Sequence, residues 1–141
     1  MIVNVEVVVL RSDKVLLVKR SEDEDYMPGI WSLPGGKVEP ENPGGDILEK
    51  TAQREVDEEV GISVHPDMVY LESKLFYADK KPTVDVVFLC RYLSGQAYAK
   101  DRSEISAVKW LEYEKARCLD ELPAWTQDSL HLAAEVIEQM G

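Results

Sequence analysis

The chain has 141 residues, of which 45% are hydrophobic and 30% charged, a composition that predicts one globular domain over residues 1–141 with a substantial core. Sixteen basic residues against 27 acidic ones give a net charge of −11, which opposes general electrostatic binding of a long nucleic acid but is compatible with a small phosphorylated ligand bridged by a cation. No apolar run approaches the roughly 20 residues of a membrane helix, and Cys90 and Cys118 lie in no zinc-binding spacing.

The first 20 residues predict a β-hairpin. Runs of β-branched and leucine residues over 2–10 and 15–20 flank a turn-like Ser-Asp-Lys at 12–14. Glu6 interrupts the opening run and no basic leader precedes it, so we expect a strand rather than a signal peptide, and a cytoplasmic protein without membrane contact.

Residues 26–45 hold four of the seven prolines and five of the eight glycines, and predict an ordered loop without regular elements. A helix over 46–60 follows, with Asp46 and Glu49 in capping-box spacing and Gly61 as its C-cap.

The second half of the chain predicts three strands and a closing helix. The strands cover 68–77, 83–93 and 108–111, and the helix runs from about 126 to 139 with an apolar stripe that includes Ile137 and Met140. Together the elements predict an α/β (α+β) fold with a mixed β-sheet.

The helix over 46–60 carries acids on the side that should be buried. On a helical wheel Glu55 and Glu59 share the azimuth of the apolar stripe, and Glu58 borders it. Unpaired buried carboxylates are unfavourable, and Arg54 can neutralise only one of them, so the pattern indicates a divalent cation. Oxygen-only ligands favour Mg²⁺, with Mn²⁺ as the alternative. The helical wheel is also compatible with a second interpretation, an acidic helix end that is exposed to solvent.

The same helix carries a family resemblance. The run REVDEEVGI over 54–62 is similar to the second half of the box of the Nudix hydrolases, with every specified position matched. Upstream, WSLPGGKVE over 31–39 resembles the loop that enters the box, and LVKR over 17–20 resembles the second strand. With a later segment around 104–110, the resemblance to MutT-like Nudix hydrolases covers most of the chain. It implies the Nudix fold, in which a mixed β-sheet is sandwiched between α-helices.

The resemblance implies a metal-dependent hydrolase. The expected substrate is a nucleoside di- or triphosphate, or a nucleoside diphosphate linked to another group, which is cleaved at a pyrophosphate bond. Clean-up of damaged nucleoside triphosphates ranks first. The alternatives are hydrolysis of ADP-ribose or dinucleoside polyphosphates, and a non-catalytic module of Nudix fold that senses a nucleotide. The expected partner is this small nucleotide, and the expected assembly is a monomer or a homodimer.

The resemblance also implies roles for individual residues. Glu55, Glu58, Glu59 and the backbone carbonyl of Gly35 are the implied metal ligands. Arg54 is implied to hold the glutamates in place. The general base is Glu58 or Glu104, the latter preceding a predicted strand.

Further residues are candidates for substrate contacts. Arg20 and Lys37 could bind phosphate oxygens, since a guanidinium fork and an ammonium both suit them. Trp125 and Asp128 are similar to a Trp-x-x-Asp segment that some nucleotide-sanitising relatives use for the base.

Two features depart from the family pattern. Nine residues separate Gly36 from Asp46, more than the family has, as if 41–44 were an insertion that bulges outward. Asp46 also replaces the first glutamate of the box, and we expect it to act as an N-cap.

Overall fold

The computed structural model describes residues 1–40 and 43–140. These residues form seven strands and three helices, in the order β1 Ile2–Arg11, β2 Lys14–Arg20, β3 Trp31–Ser32, β4 Gly35–Lys37, α1 Ile47–Val60, β5 Ser63–Ala78, β6 Lys81–Ser94, β7 Ile105–Glu112, α2 Tyr113–Ala116 and α3 Ala124–Met140.

All seven strands belong to one sheet. The strand order is β3-β2-β1-β6-β5, with β4 beside β1 and β7 beside β2. β1 and β6 run parallel, and the other pairs run antiparallel. The prediction of a mixed sheet is confirmed.

The predicted hairpin of β1 and β2 exists only near its turn. The two strands pair at Leu10 with Val15 and at Arg11 with Lys14. Beyond these pairs β1 runs between β6 and β4, whereas β2 pairs with β7. Strands that are distant in the sequence therefore provide most of the backbone pairing of β1 and β2, and these two strands pair with each other only beside the turn.

The sheet has a core on each face. The α1 face packs Ala52 and Val56 with the odd-numbered β1 residues, whereas the α3 face packs Leu130 and Ala133 with Val8. This arrangement confirms the predicted sandwich, because side chains alternate between the two faces along each strand. Among the described helices, none is long and apolar enough to cross a membrane.

The prediction that 26–45 lacks regular elements is wrong, because β3 and β4 lie within it. β3 pairs with β2, and in β4 Gly35 and Gly36 pair with Glu6 and Val5 of β1. Strands of two or three residues are made by tertiary backbone pairing, so side-chain periodicity does not reveal them. Of the predicted insertion, residues 41 and 42 lie outside the described residues, and Pro43 and Gly44 are exposed.

The capping prediction for α1 is half right. Asp46 occupies the N-cap position, but its φ of 52° is left-handed and its side chain makes no capping hydrogen bond. An N-cap side chain reaches the first N–H groups from an extended backbone, which this conformation does not provide. At the other end, Gly61 has the expected left-handed conformation with a φ of 72°, and its N–H donates to the Asp57 carbonyl at 3.0 Å.

Several element boundaries also differ. β5 begins at Ser63 rather than 68, because shifts in its register with β6 let the strand include Pro66, which has no N–H. β7 begins at Ile105, and the short α2 is an addition to the predicted elements. In α3 the stripe is buried only toward its start, since Met140 is 44% exposed.

Candidate active site

Three glutamates converge on the α1 side of the sheet. Glu55 and Glu59 lie one turn apart on α1 and are only 8% and 6% exposed. Glu104 reaches them from the segment before β7, and one carboxylate oxygen of each residue lies within 4.8 Å of the others. We call Glu55, Glu59 and Glu104 the glutamate cluster.

Two glycines let β4 approach the glutamate cluster closely. A Cβ on Gly36 would overlap the Glu55 carboxylate, and a Cβ on Gly35 would overlap the Val5 carbonyl. The Gly35 backbone also forms a hydrogen bond to Glu59. Only glycine fits at these two positions, because any side chain would collide with neighbouring atoms. The glycine- and proline-rich composition of the segment indicates turns and does not reveal this requirement.

Backbone hydrogen bonds fix the third glutamate. The N–H groups of Tyr98 and Lys100 donate to the last carbonyls of α1, at 3.1 Å to Val60 and 3.0 Å to Glu59. The Glu104 carbonyl accepts from the Ser21 N–H at 2.8 Å. The segment is thus tied to both α1 and the end of β2, which holds Glu104 over the cluster.

Arg54 links α1 to β4. Its Nη1 donates to Glu55 at 2.9 Å and to Glu58 at 3.2 Å, and its Nη2 donates to the Lys37 carbonyl at 3.0 Å. The Glu58 side chain is 56% exposed. Arg54 therefore holds Glu58 beside the cluster, and the third carboxylate of the cluster comes from Glu104.

The cluster is electrostatically unfavourable without a cation. Burial raises the pKa of Glu55 to about 7. The positive charge of Arg54 lowers this pKa, and the negative charges of Glu58 and Glu104 raise it further. Burial also raises the pKa of Glu59 to about 9, with the negative charges of Glu104 and Glu55 adding to it. The pKa of Glu104 is raised by burial and by Asp101. Three crowded carboxyls with raised pKa values are the expected signature of a cation-binding group.

The donor set of this group suits a hard divalent cation. All three side chains offer carboxylate oxygens, and two are nearly buried while Glu104 is exposed, which leaves a route for a ligand. Such donors match the preference of Mg²⁺ or Mn²⁺.

The predicted substrate contacts are divided between two regions. Arg20 lies near the cluster, because its charge lowers the pKa of Glu104; its Nε donates to the Tyr26 carbonyl at 2.9 Å. Lys37 adjoins Gly36 in β4, with an exposed side chain. Trp125 and Asp128 are exposed on the first turns of α3, on the opposite face of the sheet.

A second polar group is not singled out by the sequence motifs. Glu6 and Asp85 lie in the apolar strands β1 and β6 and are close enough to hydrogen bond. The signal that could have found them is a lone acid within each apolar run.

Comparison with known proteins agrees with the fold. The family model of the NUDIX domain matches residues 2–134 of this chain. The chain is 34% identical over 124 residues to the uncharacterized Nudix hydrolase YfcD of Escherichia coli K12, covering 86% of this chain and 63% of YfcD. It is 31% identical over 121 residues to human 8-oxo-dGDP phosphatase NUDT18, covering 85% of this chain and 33% of NUDT18. The chain thus spans less than two thirds of either relative.

A solved structure resembles most of the chain. The MutT NUDIX hydrolase from Burkholderia pseudomallei is 26% identical and superposes with a TM-score of 0.77, covering 93% of this chain and 96% of that one. The family consists of pyrophosphohydrolases that act on nucleoside diphosphate-linked substrates. The matched domain, the mixed sheet between helices and the glutamate cluster together show that the chain belongs to the Nudix family.

Proposed function

We propose that this chain is a metal-dependent pyrophosphohydrolase that cleaves a nucleoside triphosphate or a nucleoside diphosphate linked to another group. The observation that carries the proposal is the convergence of Glu55, Glu59 and Glu104 within 4.8 Å. Like charges are gathered at considerable electrostatic cost, which a divalent cation would relieve.

Each residue of the cluster has a role in the proposal. Glu55 and Glu59 would hold Mg²⁺ or Mn²⁺ from α1, and Glu104 would close the ligand set from the solvent side. The carbonyl of Gly35 is a further candidate ligand, beside Glu59. When bound, the cation would supply positive charge to the non-bridging phosphate oxygens.

Arg54 and Arg20 have different proposed roles. Arg54 is occupied by Glu55, Glu58 and the Lys37 carbonyl, so it would position the glutamates and the β4 backbone. Arg20 and the exposed Lys37 side chain flank the cluster and would bind phosphate oxygens, since both carry positive charge into an acidic surface.

Two acids are candidates for the base that takes a proton from the attacking water. Glu58 has an exposed carboxylate that Arg54 orients next to Glu55. Burial and the charge of Asp101 raise the pKa of Glu104, which makes this carboxylate a stronger proton acceptor than an ordinary exposed one. Because Glu104 also forms a hydrogen bond with Glu59, it could serve as ligand rather than base.

For the substrate we propose a damaged purine nucleoside di- or triphosphate. The support is the similarity to NUDT18, whose name assigns it an oxidised guanine nucleotide. ADP-ribose and dinucleoside polyphosphates are the competing substrates.

A nucleotide panel tests this function. Purified protein is incubated with Mg²⁺ and each nucleotide, and the products are identified by mass. We expect cleavage at a pyrophosphate bond, complete loss of activity in EDTA, and recovery when Mg²⁺ is returned. Cleavage that survives exhaustive chelation would contradict the metal dependence, and intact nucleotides throughout would contradict the enzymatic function.

A further inference from the structure

Glu104 reaches the glutamate cluster from a connection that contains no helix or strand. Residues 95–104 join β6 to β7, and Glu104 is the exposed member of the cluster. Glu55 and Glu59 are fixed by α1 and by burial, whereas Glu104 has neither support. A mobile carboxylate contributes little to a site that requires a defined geometry, so the connection itself has to hold Glu104 in place.

The first part of this connection is bound to the end of α1. Gly95 packs closely against Gly61, since a Cβ on Gly95 would lie 2.9 Å from the Gly61 carbonyl oxygen. The Lys100 N–H donates to the Glu59 carbonyl at 3.0 Å, and the Asp101 N–H donates to the same oxygen at 3.4 Å. These donors satisfy a carbonyl that the end of a helix leaves without an intrahelical partner. The connection is therefore anchored as far as Asp101, three residues before Glu104.

Asp101 closes the turn that leads from this anchor to Glu104. Its Oδ1 accepts hydrogen bonds from the Ser103 N–H at 3.1 Å and from the Ser103 hydroxyl at 2.5 Å. Its backbone carbonyl accepts from the N–H groups of Glu104 at 3.1 Å and of Ile105 at 3.0 Å. Residues 103–105 are thus all bonded back to Asp101, which fixes the backbone of Glu104 relative to the end of α1.

The use of an acid at this position is electrostatically unfavourable. After burial, the negative charge of Asp101 is the next cause that raises the pKa of Glu104. The hydrogen bonds that the Asp101 carboxylate accepts from Ser103 oppose this repulsion. An asparagine would offer the same acceptor oxygen without the charge, so the two effects of Asp101 can be separated by substitution.

We propose that Asp101 is a positioning residue for Glu104: the turn that its carboxylate closes places the third carboxylate of the glutamate cluster. This proposal rests on the proposed function and adds a residue outside the cluster on which the geometry of the cluster depends. It requires Asp101 to act through Glu104. Loss of the Asp101 hydrogen bonds and loss of the Glu104 carboxylate therefore have the same consequence for the site.

Two substitutions of Asp101 separate its hydrogen bonds from its charge. Asp101→Ala removes the acceptor, and we expect it to lower by about 10- to 100-fold whichever of kcat and Mn²⁺ affinity Glu104→Gln lowers. Asp101→Asn should restore that quantity to within about threefold of the wild-type value, because a bond to a neutral acceptor is only somewhat weaker. Asp120→Ala, at an exposed acid in the turn before α3, is the control and should change neither quantity.

A double-mutant cycle shows whether Asp101 acts through Glu104. Once Glu104→Gln is present, Asp101→Ala should cost a further factor of about two or less, because no carboxylate remains to be positioned. Electron paramagnetic resonance of free Mn²⁺ measures binding for all four proteins without catalysis, and steady-state kinetics measure kcat. Losses from the two substitutions that multiply independently would overturn the proposal. An Asp101→Asn variant as impaired as Asp101→Ala would also overturn it.

The melting temperature and the single variants decide the remaining outcomes. A turn that serves only the fold predicts a lower melting temperature for Asp101→Ala with unchanged kcat and Mn²⁺ affinity, which would overturn the proposal. A Glu104→Gln variant equal to the wild type in both quantities would overturn it too, since Asp101 would have no site residue to position. If the wild type cleaves no nucleotide, the proposed function fails, and the cycle on Mn²⁺ affinity still decides the role of Asp101.

Discussion

Two acidic groups lie back to back on the same sheet, and they are built in different ways. The glutamate cluster gathers three carboxylates around one Arg54, which bonds only Glu55 of the three. On the other face, Asp85 accepts a hydrogen bond from the Asn4 amide at 2.8 Å and is in hydrogen-bond contact with Glu6, and Lys74 lies nearby. An excess of like charge suits a divalent cation, whereas burial and the contact with Asp85 raise the pKa of Glu6, so that a proton shared by these two carboxyls relieves their repulsion. The comparison shows that the neighbouring donors, and not only the number of acids, decide how strongly an acidic group needs a cation.

The largest expected effect comes from Glu59→Gln. This change removes a charge that the glutamate cluster needs for a cation, so we expect kcat to fall by roughly 100- to 1,000-fold or more. In metal-free protein the same change should preserve the fold and raise the melting temperature, because it relieves repulsion from Glu104 and Glu55. Steady-state kinetics and thermal melts measure both.

Asp57→Asn is the matched control, since Asp57 lies on the exposed side of the same helix. It should leave kcat near the wild-type value. A Glu59→Gln enzyme with near wild-type turnover at saturating Mg²⁺ would refute the catalytic role of the cluster.

Glu104→Gln should have the next largest effect, and its pattern assigns a role to this residue. A general base predicts a kcat lowered by about 10- to 1,000-fold, a flattened acid limb of the pH profile and unchanged Mg²⁺ affinity. A metal ligand predicts weaker Mg²⁺ binding and partial rescue by added metal. The measurement is kcat against pH at two Mg²⁺ concentrations.

An unchanged profile for Glu104→Gln would remove Glu104 from the site. Glu58→Gln would then be the next variant to test as the base, because Arg54 holds it beside the cluster.

Gly36→Ala tests the close approach of β4 to the glutamate cluster. The added Cβ would overlap the Glu55 carboxylate, so we expect a roughly tenfold or greater loss of kcat/KM from displacement of this ligand. Gly45→Ala is the control, because a Cβ there meets no described atom within 4 Å. Equal activity of the two variants would mean that Glu55 can move without consequence.

The smallest expected effect is a pH dependence of stability in metal-free protein. The pKa of Glu59 rises from 4.5 to about 9 on folding, so the folded state binds more protons than the unfolded state across that interval. The contribution of Glu59 to stability should therefore be fully present below about pH 4.5 and be lost as the pH rises toward about 9. Melting temperatures taken in EDTA should fall steadily across this range.

Glu59→Gln should flatten this decline, and Asp57→Asn should preserve it. Saturating Mg²⁺ should oppose it, because cation binding favours the deprotonated carboxylates that high pH provides. A melting temperature that stays constant from pH 5 to pH 9 without metal would contradict the raised pKa.

Local patterns predicted much of this fold. The apolar stripe of α1 and the glycine after it define the helix over 47–60, and the long strands β1 and β6 follow from their β-branched runs. The same patterns did not give β3, β4 or the left-handed backbone at Asp46. These features depend on pairing and packing with residues that are distant in the chain. Such contacts leave no periodic pattern in the local sequence.

By itself, the sequence determined the placement of Glu55 and Glu59. A spacing of four residues on a helix puts two side chains on one face whatever surrounds them, and the apolar stripe says that this face is buried. The tertiary structure alone decided that Glu104, rather than Glu58, completes the cluster, and that Glu6 meets Asp85. Both contacts join residues that are far apart in the chain. The binding of the segment over 98–104 to the end of α1 brings Glu104 to the cluster, and the parallel pairing of β1 with β6 brings Glu6 to Asp85.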